Sequence, residues 1–351
     1  MSLPCGYYNV NYRQDMAIVR TRPHWMILVL GLVALLALPL FASGRILSIM
    51  NLIGITVILV HGLNILTGYC GQISLGHAAF MMVGAYISAL LTVYLKISFW
   101  LALPIAGLGT GIIGLIFGAP SLRVKGFYLA MATLAAQFII PWVIVNVRPD
   151  ITGGSQSFRV PAPTLGGIVL NTQADMFYII IPIACLMTFF AKNLARTRMG
   201  RAFVAIRDND LAAEVMGINV FRYKLFAFFI SAVFAGISGS LWAHWMRVVA
   251  YTHFELQHSI WFLGMVIVGG MGYTTGPVMG AAFIRILDEF SAILSPIVAD
   301  MFPAIAGQVS AALTPIVFGL VVLLFIVFEP RGLAHRWEIF KATYRIWPFS
   351  Y

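Results

Sequence analysis

Long apolar runs separated by short polar gaps dominate this chain. The pattern predicts ten helices, over residues 26–43, 47–66, 77–95, 99–119, 126–146, 175–191, 225–246, 258–274, 277–297 and 310–328. Most of these runs approach the ~20 apolar residues that cross a bilayer as a helix. In lipid, only helices and closed barrels satisfy their own backbone, and runs of this length fit helices. The fold class that follows is all-α: a polytopic integral membrane protein of about ten spans. Glycines interrupt or crowd the pattern in 77–95, 258–274 and 277–297. Three regions result: a polar tail over 1–25, a membrane domain over 26–335 and a second tail over 336–351. Residues 192–224 form a polar loop within the membrane domain.

Composition sharpens this picture. The chain is 61% hydrophobic and only 10% charged, against ~25% charged for a soluble domain. A formal net charge of +10 would suit nucleic acid, but the placement of the charges argues for membrane orientation instead. With the N-terminus inside, most of the 22 Lys and Arg fall on the inner side, among them Arg123 and Lys125 before the fifth helix. Only Arg45, Lys96, Arg148, Arg159 and Arg247 fall outside, and Arg285 lies within a span. Positive charge is retained on the cytoplasmic side, so both termini and the 192–224 loop are expected there. Cys5, Cys70 and Cys185 are far apart and fit no disulfide or metal spacing.

Within that loop, Arg207-Asp-Asn-Asp-Leu-Ala-Ala-Glu-Val-Met-Gly-Ile-Asn219 reads as a short helix. Asp208 or Asp210 suits its start, and Gly217 suits a left-handed end. Leu211, Val215 and Ile218 repeat at helical spacing, Glu214 offers a charge, and Ala212 and Ala213 make one side thin enough to approach another protein. On pattern alone it is either a docking helix or an unpartnered surface turn.

A second unusual stretch is Asn64-Ile-Leu-Thr-Gly-Tyr-Cys-Gly-Gln-Ile-Ser-Leu-Gly-His-Ala-Ala-Phe80. Its glycines break an apolar run, and Asn64, Gln72, Ser74 and His77 are polar at or near membrane depth. It is either a tight turn or a broken helix of the kind transporters use to present backbone to a solute. Gln137, one turn from Thr133 and near Pro141, is either interhelical glue or pathway lining. Ile151-Thr-Gly-Gly-Ser155 is a turn or an anion nest. Val268-Gly-Gly-Met-Gly-Tyr-Thr-Thr-Gly-Pro-Val-Met-Gly280 is a second break, suited to pairing with the first.

Small residues Ala232, Gly236, Ser240 and Ala243 line one face of the seventh helix and predict close packing. Trp242, His244 and Trp245 approach an interface, where the tryptophans suit anchoring. Arg285 and Glu289, one turn apart, are expected to pair. His253 and His258 are five apart and share no helix face.

Five stretches resemble one family. Gly71-Gln-Ile-Ser-Leu-Gly-His-Ala-Ala-Phe80, the Thr-Gly-Gly loop of 151–155, the 207–239 region, the 268–280 break and Phe328-Glu-Pro-Arg-Gly-Leu333 are similar to the LivM-type permeases of ATP-binding-cassette importers of branched-chain amino acids. The resemblance covers roughly residues 47–335. It implies a plasma (bacterial inner) membrane permease working with a second, LivH-type permease, two ATPases and an external solute-binding protein. It implies that 207–219 is the coupling helix that docks on an ATPase. ATP and Mg would be bound by those partners, and branched-chain amino acids, or a related amide, urea or carboxylate, would be the cargo.

This chain carries no Gly-x-x-x-x-Gly-Lys-Ser/Thr loop, His-Glu-x-x-His or Gly-x-Ser-x-Gly, so it is expected to be a transport subunit without cofactor or catalytic residues. The alternative is an ion-coupled secondary transporter. That would need a desolvated carboxylate near the midplane, for which only Asp288 and Glu289 are candidates.

Overall fold

The computed structural model describes residues 22–121, 127–165, 168–301 and 306–346. The 1–21 part of the N-terminal tail, Arg123, Lys125 and residues 347–351 lie outside the described residues. Each of the ten expected apolar segments contains a helix, but the eighth, expected over 258–274, ends at Gly269, where Gly270 at φ +110° opens the second break. The helices are α1 Arg22–Ala37, α2 Gly44–Leu63, α3 His77–Val93, α4 Phe99–Ser121, α5 Phe127–Asn146, α6 Gln173–Arg196, and, beyond a polar loop, four more. That loop folds as α7 Arg198–Asp208 and α8 Asp210–Val215. Then come α9 Val220–Met246, α10 Leu256–Gly269, α11 Gly276–Met301 and α12 Ala306–Phe328, followed by α13 Gly332–Ile346 over the expected C-terminal tail. By length and composition, six of the described helices suffice to cross a membrane.

The bundle is built on α9. Its small-residue face packs between α3 and α4. A Cβ on Gly239 would sit 1.9 Å from the Met81 carbonyl oxygen, and one on Gly84 would sit 2.3 Å from the Gly236 carbonyl oxygen. Backbones this close leave no room for a side chain, so glycine is what allows α3 and α9 to touch. The expected packing face is therefore real.

Two ends of the bundle can be told apart by their contacts. One gathers the first break (64–76), α7 and α8, the second break (270–275) and the 329–331 turn with the start of α13. There Tyr273 Oη lies 3.3 Å from His335 Nδ1. The other gathers the loop after α5, the 247–255 connection and the 94–98 turn. At that end Phe158 pairs with Val249 in a two-residue ladder, and Trp100 Nε1 donates to the Thr164 carbonyl at 3.2 Å. The Thr-Gly-Gly stretch closes as a turn, with Gly153 and Gly154 at φ +78° and +60°.

Candidate functional site

The first break begins where α2 widens into a single π-helical turn, Asn64–Tyr69. Such turns disturb the regular backbone ladder. Here they release groups that side chains from elsewhere then hold. Asn64 bridges the two breaks: its Oδ1 accepts from Gly272 N at 2.9 Å, and its Nδ2 donates to the Tyr273 carbonyl at 3.0 Å. The expected pairing of the two glycine-rich stretches is present. It depends on closeness, because a Cβ on Gly68 would lie 2.5 Å from Gly272 N.

α3 starts at His77 without a side-chain cap from Gly76. The first N–H groups of a helix need partners from outside it. Ser259 Oγ accepts from Ala78 N at 2.9 Å, and Gln137 Oε1 accepts from Ala79 N at 3.0 Å. Gln137 also accepts from Ser259 Oγ at 2.9 Å and donates through Nε2 to the Phe254 carbonyl at 2.7 Å. His77 is fixed in the same way. Ser231 Oγ donates to the Gly62 carbonyl at 2.7 Å, so at 2.7 Å it accepts from His77 Nε2. That leaves Nδ1 to accept from Ser74 Oγ at 3.1 Å. Asn64, Ser74, His77 and Gln137 are thus all buried and bonded within the chain. Gln72 is buried too, but it lines a polar recess of about 360 Å³ with Ile206, Arg207, Asp208, Asn209, Asp210 and Lys224.

The loop helices sit on this break. Arg207 Nη1 donates to the Gly68 carbonyl at 2.9 Å while Nε and Nη2 hold Asp208. The expected single helix is two. Asn209, not Asp208 or Asp210, caps the second: its Oδ1 accepts from Ala212 N at 3.1 Å. Its extended backbone, φ −158° and ψ 108°, supplies the bend that a cap requires. Asp210 instead lies 3.7 Å from Lys224 Nζ. Gly217 has φ +85°, as expected for a helix end.

The faces differ from the sequence expectation. Leu211 and Val215 are 64% and 87% exposed, with Met216, unremarked in the sequence, at 82%. Ala213 is buried at 4%, and Ile218 packs on the core. Ala213 therefore seats the helix on its own chain, while exposed Ala212, Glu214, Leu211 and Val215 face outward.

Near the other end, the bundle holds a second polar cluster. Glu289 pairs with Arg45 on α2 rather than with Arg285. Arg285 reaches Asp288 at 3.7 Å and donates from Nε to Thr56 Oγ1 at 3.2 Å. Arg285 also lines a cavity with His253 and His258, which the 251–254 turn and the start of α10 bring together despite their spacing. Trp242 faces this cavity as well. Trp245 Nε1 donates to Gln173 Oε1 at 2.9 Å, and His244 is buried against Ser88 and the Pro161 carbonyl. Trp245 and His244 are thus tied into the fold. Burial holds the His253 ring below the ordinary histidine range, so it is uncharged near neutral pH. Sequence spacing alone misses this cluster; the buried, unpartnered ring nitrogens of Trp242, His253 and His258 beside Arg285 are the signal that marks it.

A helical bundle with two glycine-broken segments clasped together, and short helices perched on them, is that of a multi-pass membrane permease. The chain belongs to the family of the permease component of branched-chain amino acid transport systems, whose model matches residues 45–326. It is 32% identical to the high-affinity branched-chain amino acid transport permease LivM of Escherichia coli K12, over 88% of this chain and 74% of that protein. LivM of Salmonella typhimurium is 31% identical over 86% and 73%. The ribose import permease RbsC of Haemophilus influenzae is 25% identical over 75% and 82%. No solved structure matches. The chain is thus a permease subunit of an ATP-binding-cassette transporter and not an enzyme. The ion-coupled alternative falls with this, and both carboxylates it needed are paired.

Proposed function

We propose that this chain, in the plasma (bacterial inner) membrane, imports branched-chain amino acids or a related small solute. It works beside a second, LivH-type permease, with two ATPases and an external binding protein. The observation that carries the mechanism is the Arg207 bond to the Gly68 carbonyl. It joins a helix pair bearing exposed Leu211, Val215 and Met216 to the break at the end of α2. Apolar side chains on a capped helix suit a groove in an ATPase. Burying each stabilises the contact by on the order of 1.5–3 kcal/mol before association costs. Glu214 and Asp208 then meet charges in that groove, while Ala212 allows close approach. Ala213, Gly217 and Ile218 keep the helix in place.

When ATP and Mg close the partner ATPases, α7 and α8 move, and Arg207 carries that movement to the first break. Asn64 passes it to the second. Gln72 lines the inner mouth of the path, and Ser74, His77, Asn64 and Gln137 hold the backbone around it. The two access states differ in these contacts, as any driven change requires.

The experiment is reconstitution with both permeases, the ATPases and the binding protein. Leu211→Asp with Val215→Asp should leave the chain folded but lose co-purifying ATPase and at least tenfold of uptake. Full uptake by that variant, or uptake by this chain alone, would defeat the reading.

A further inference from the structure

The cavity beside Arg285 has a polarity the transport reading does not use. It measures about 40 Å³, room for roughly three water-sized groups. Its lining mixes Leu59, Met81 and Phe262 with Thr56, Ser238, Trp242, His253, His258 and Arg285. The two hydroxyls are committed: Thr56 donates to the Leu52 carbonyl at 2.7 Å and Ser238 to the Ile55 carbonyl at 2.9 Å. Trp242 Nε1, His253 Nδ1 and His258 Nδ1 are buried and have no hydrogen-bond partner among the described residues. An indole N–H can only donate, and a guanidinium carries five donors, more than its contacts to Thr56 and Asp288 use. Asp288 lines a neighbouring cavity on the Trp261 and Phe318 side instead. The space is therefore rich in donors and has no carboxylate of its own.

We infer that this cavity holds the carboxylate of the transported solute, with Arg285 and Trp242 as its donors. A carboxylate has three heavy atoms, which matches the space, and a planar fork is suited to it. Orphaned buried donors are otherwise costly, and a ligand acceptor relieves several at once. The inference rests on the import reading and adds the point of contact within this chain.

The test uses the permease pair with its ATPases in nanodiscs, without the binding protein, whose own selectivity would mask the site. The probe is an aliphatic amino acid carrying a diazirine. Illumination should label peptides within 238–262 or around Leu59 and Met81. The free amino acid should compete at least tenfold better than its carboxamide. Arg285→Gln should cut labelling at least tenfold and Arg285→Lys less. Trp242→Phe, which keeps the ring and loses one donor, should cut it roughly fivefold, the effect of one hydrogen bond near 1 kcal/mol. Equal competition by the carboxamide, wild-type labelling of both Arg285→Gln and Trp242→Phe, or labelling elsewhere would overturn the site. Uptake by the full wild-type system, measured in parallel, separates the two claims. Import together with misplaced label sinks only the site; label in the cavity without import sinks only the import reading.

Discussion

Gln137 spends one amide on three partners, each from a different element: Ala79 N, Ser259 Oγ and the Phe254 carbonyl. Replacing it by Leu keeps the volume and strands all three in a buried place. Each group left without a partner costs on the order of 1–3 kcal/mol. Gln137→Leu is therefore expected to lower the unfolding temperature of the purified chain by several degrees, read by thermal fluorescence in detergent. A transition unchanged from wild type would show that α3 does not depend on this cap. Ala213 makes the opposite case. As part of a thin docking face it would accept Trp; at 4% exposure it does not. Ala213→Trp overpacks the seat of α8 on its own chain, a loss of about 1–3 kcal/mol, and protease should cut the 198–219 region faster. Resistance equal to wild type would place the alanine outward again.

At the scale of elements, the loop helices and the two breaks form one connected unit. Arg207 reaches Gly68, and Asn64 reaches Gly272 and Tyr273. Arg207→Ala should keep the exposed docking side chains, and hence the bound ATPase, while weakening the path by which docking moves the break. The expected result is normal co-purification of ATPase with solute-stimulated hydrolysis reduced at least fivefold. Stimulation at the wild-type level would remove Arg207 from the coupling route. The sequence carried the helices themselves, because apolar runs of bilayer length and glycine punctuation are local signals. It carried Gly217 for the same reason. Asn209 does not stand out in the sequence because two acidic neighbours are equally good caps by residue type, and only the bend at 209 decides between them. The sequence does not show Arg207 beside Gly68, Arg45 beside Glu289, or His253 and Arg285 around one cavity. Each pairing depends on which helices lie side by side, and no short-range pattern encodes that.

For the molecule as a whole, sidedness decides whether the helix pair meets a motor. The bundle has one end with both breaks, α7, α8 and the 329–331 turn, and another with the ladder of Phe158 and Val249. Basic residues concentrate at the first: Arg196, Arg198, Arg201, Arg207, Arg222 and Lys224 all belong to it. The rule that retains positive charge in the cytoplasm sends that end inward, which is where an ATPase would find Leu211 and Val215. Exposed positions allow the test without harming a cap or the core. Glu214 and Glu338 stand for the first end and Ser155 for the second. In a background with Cys5, Cys70 and Cys185 replaced, Ser155→Cys should react with an impermeant thiol reagent on intact cells. Glu214→Cys and Glu338→Cys should react only after the membrane is opened. The reverse pattern would put the helix pair on the side without ATP, and coupling through Arg207 would have no motor to draw on.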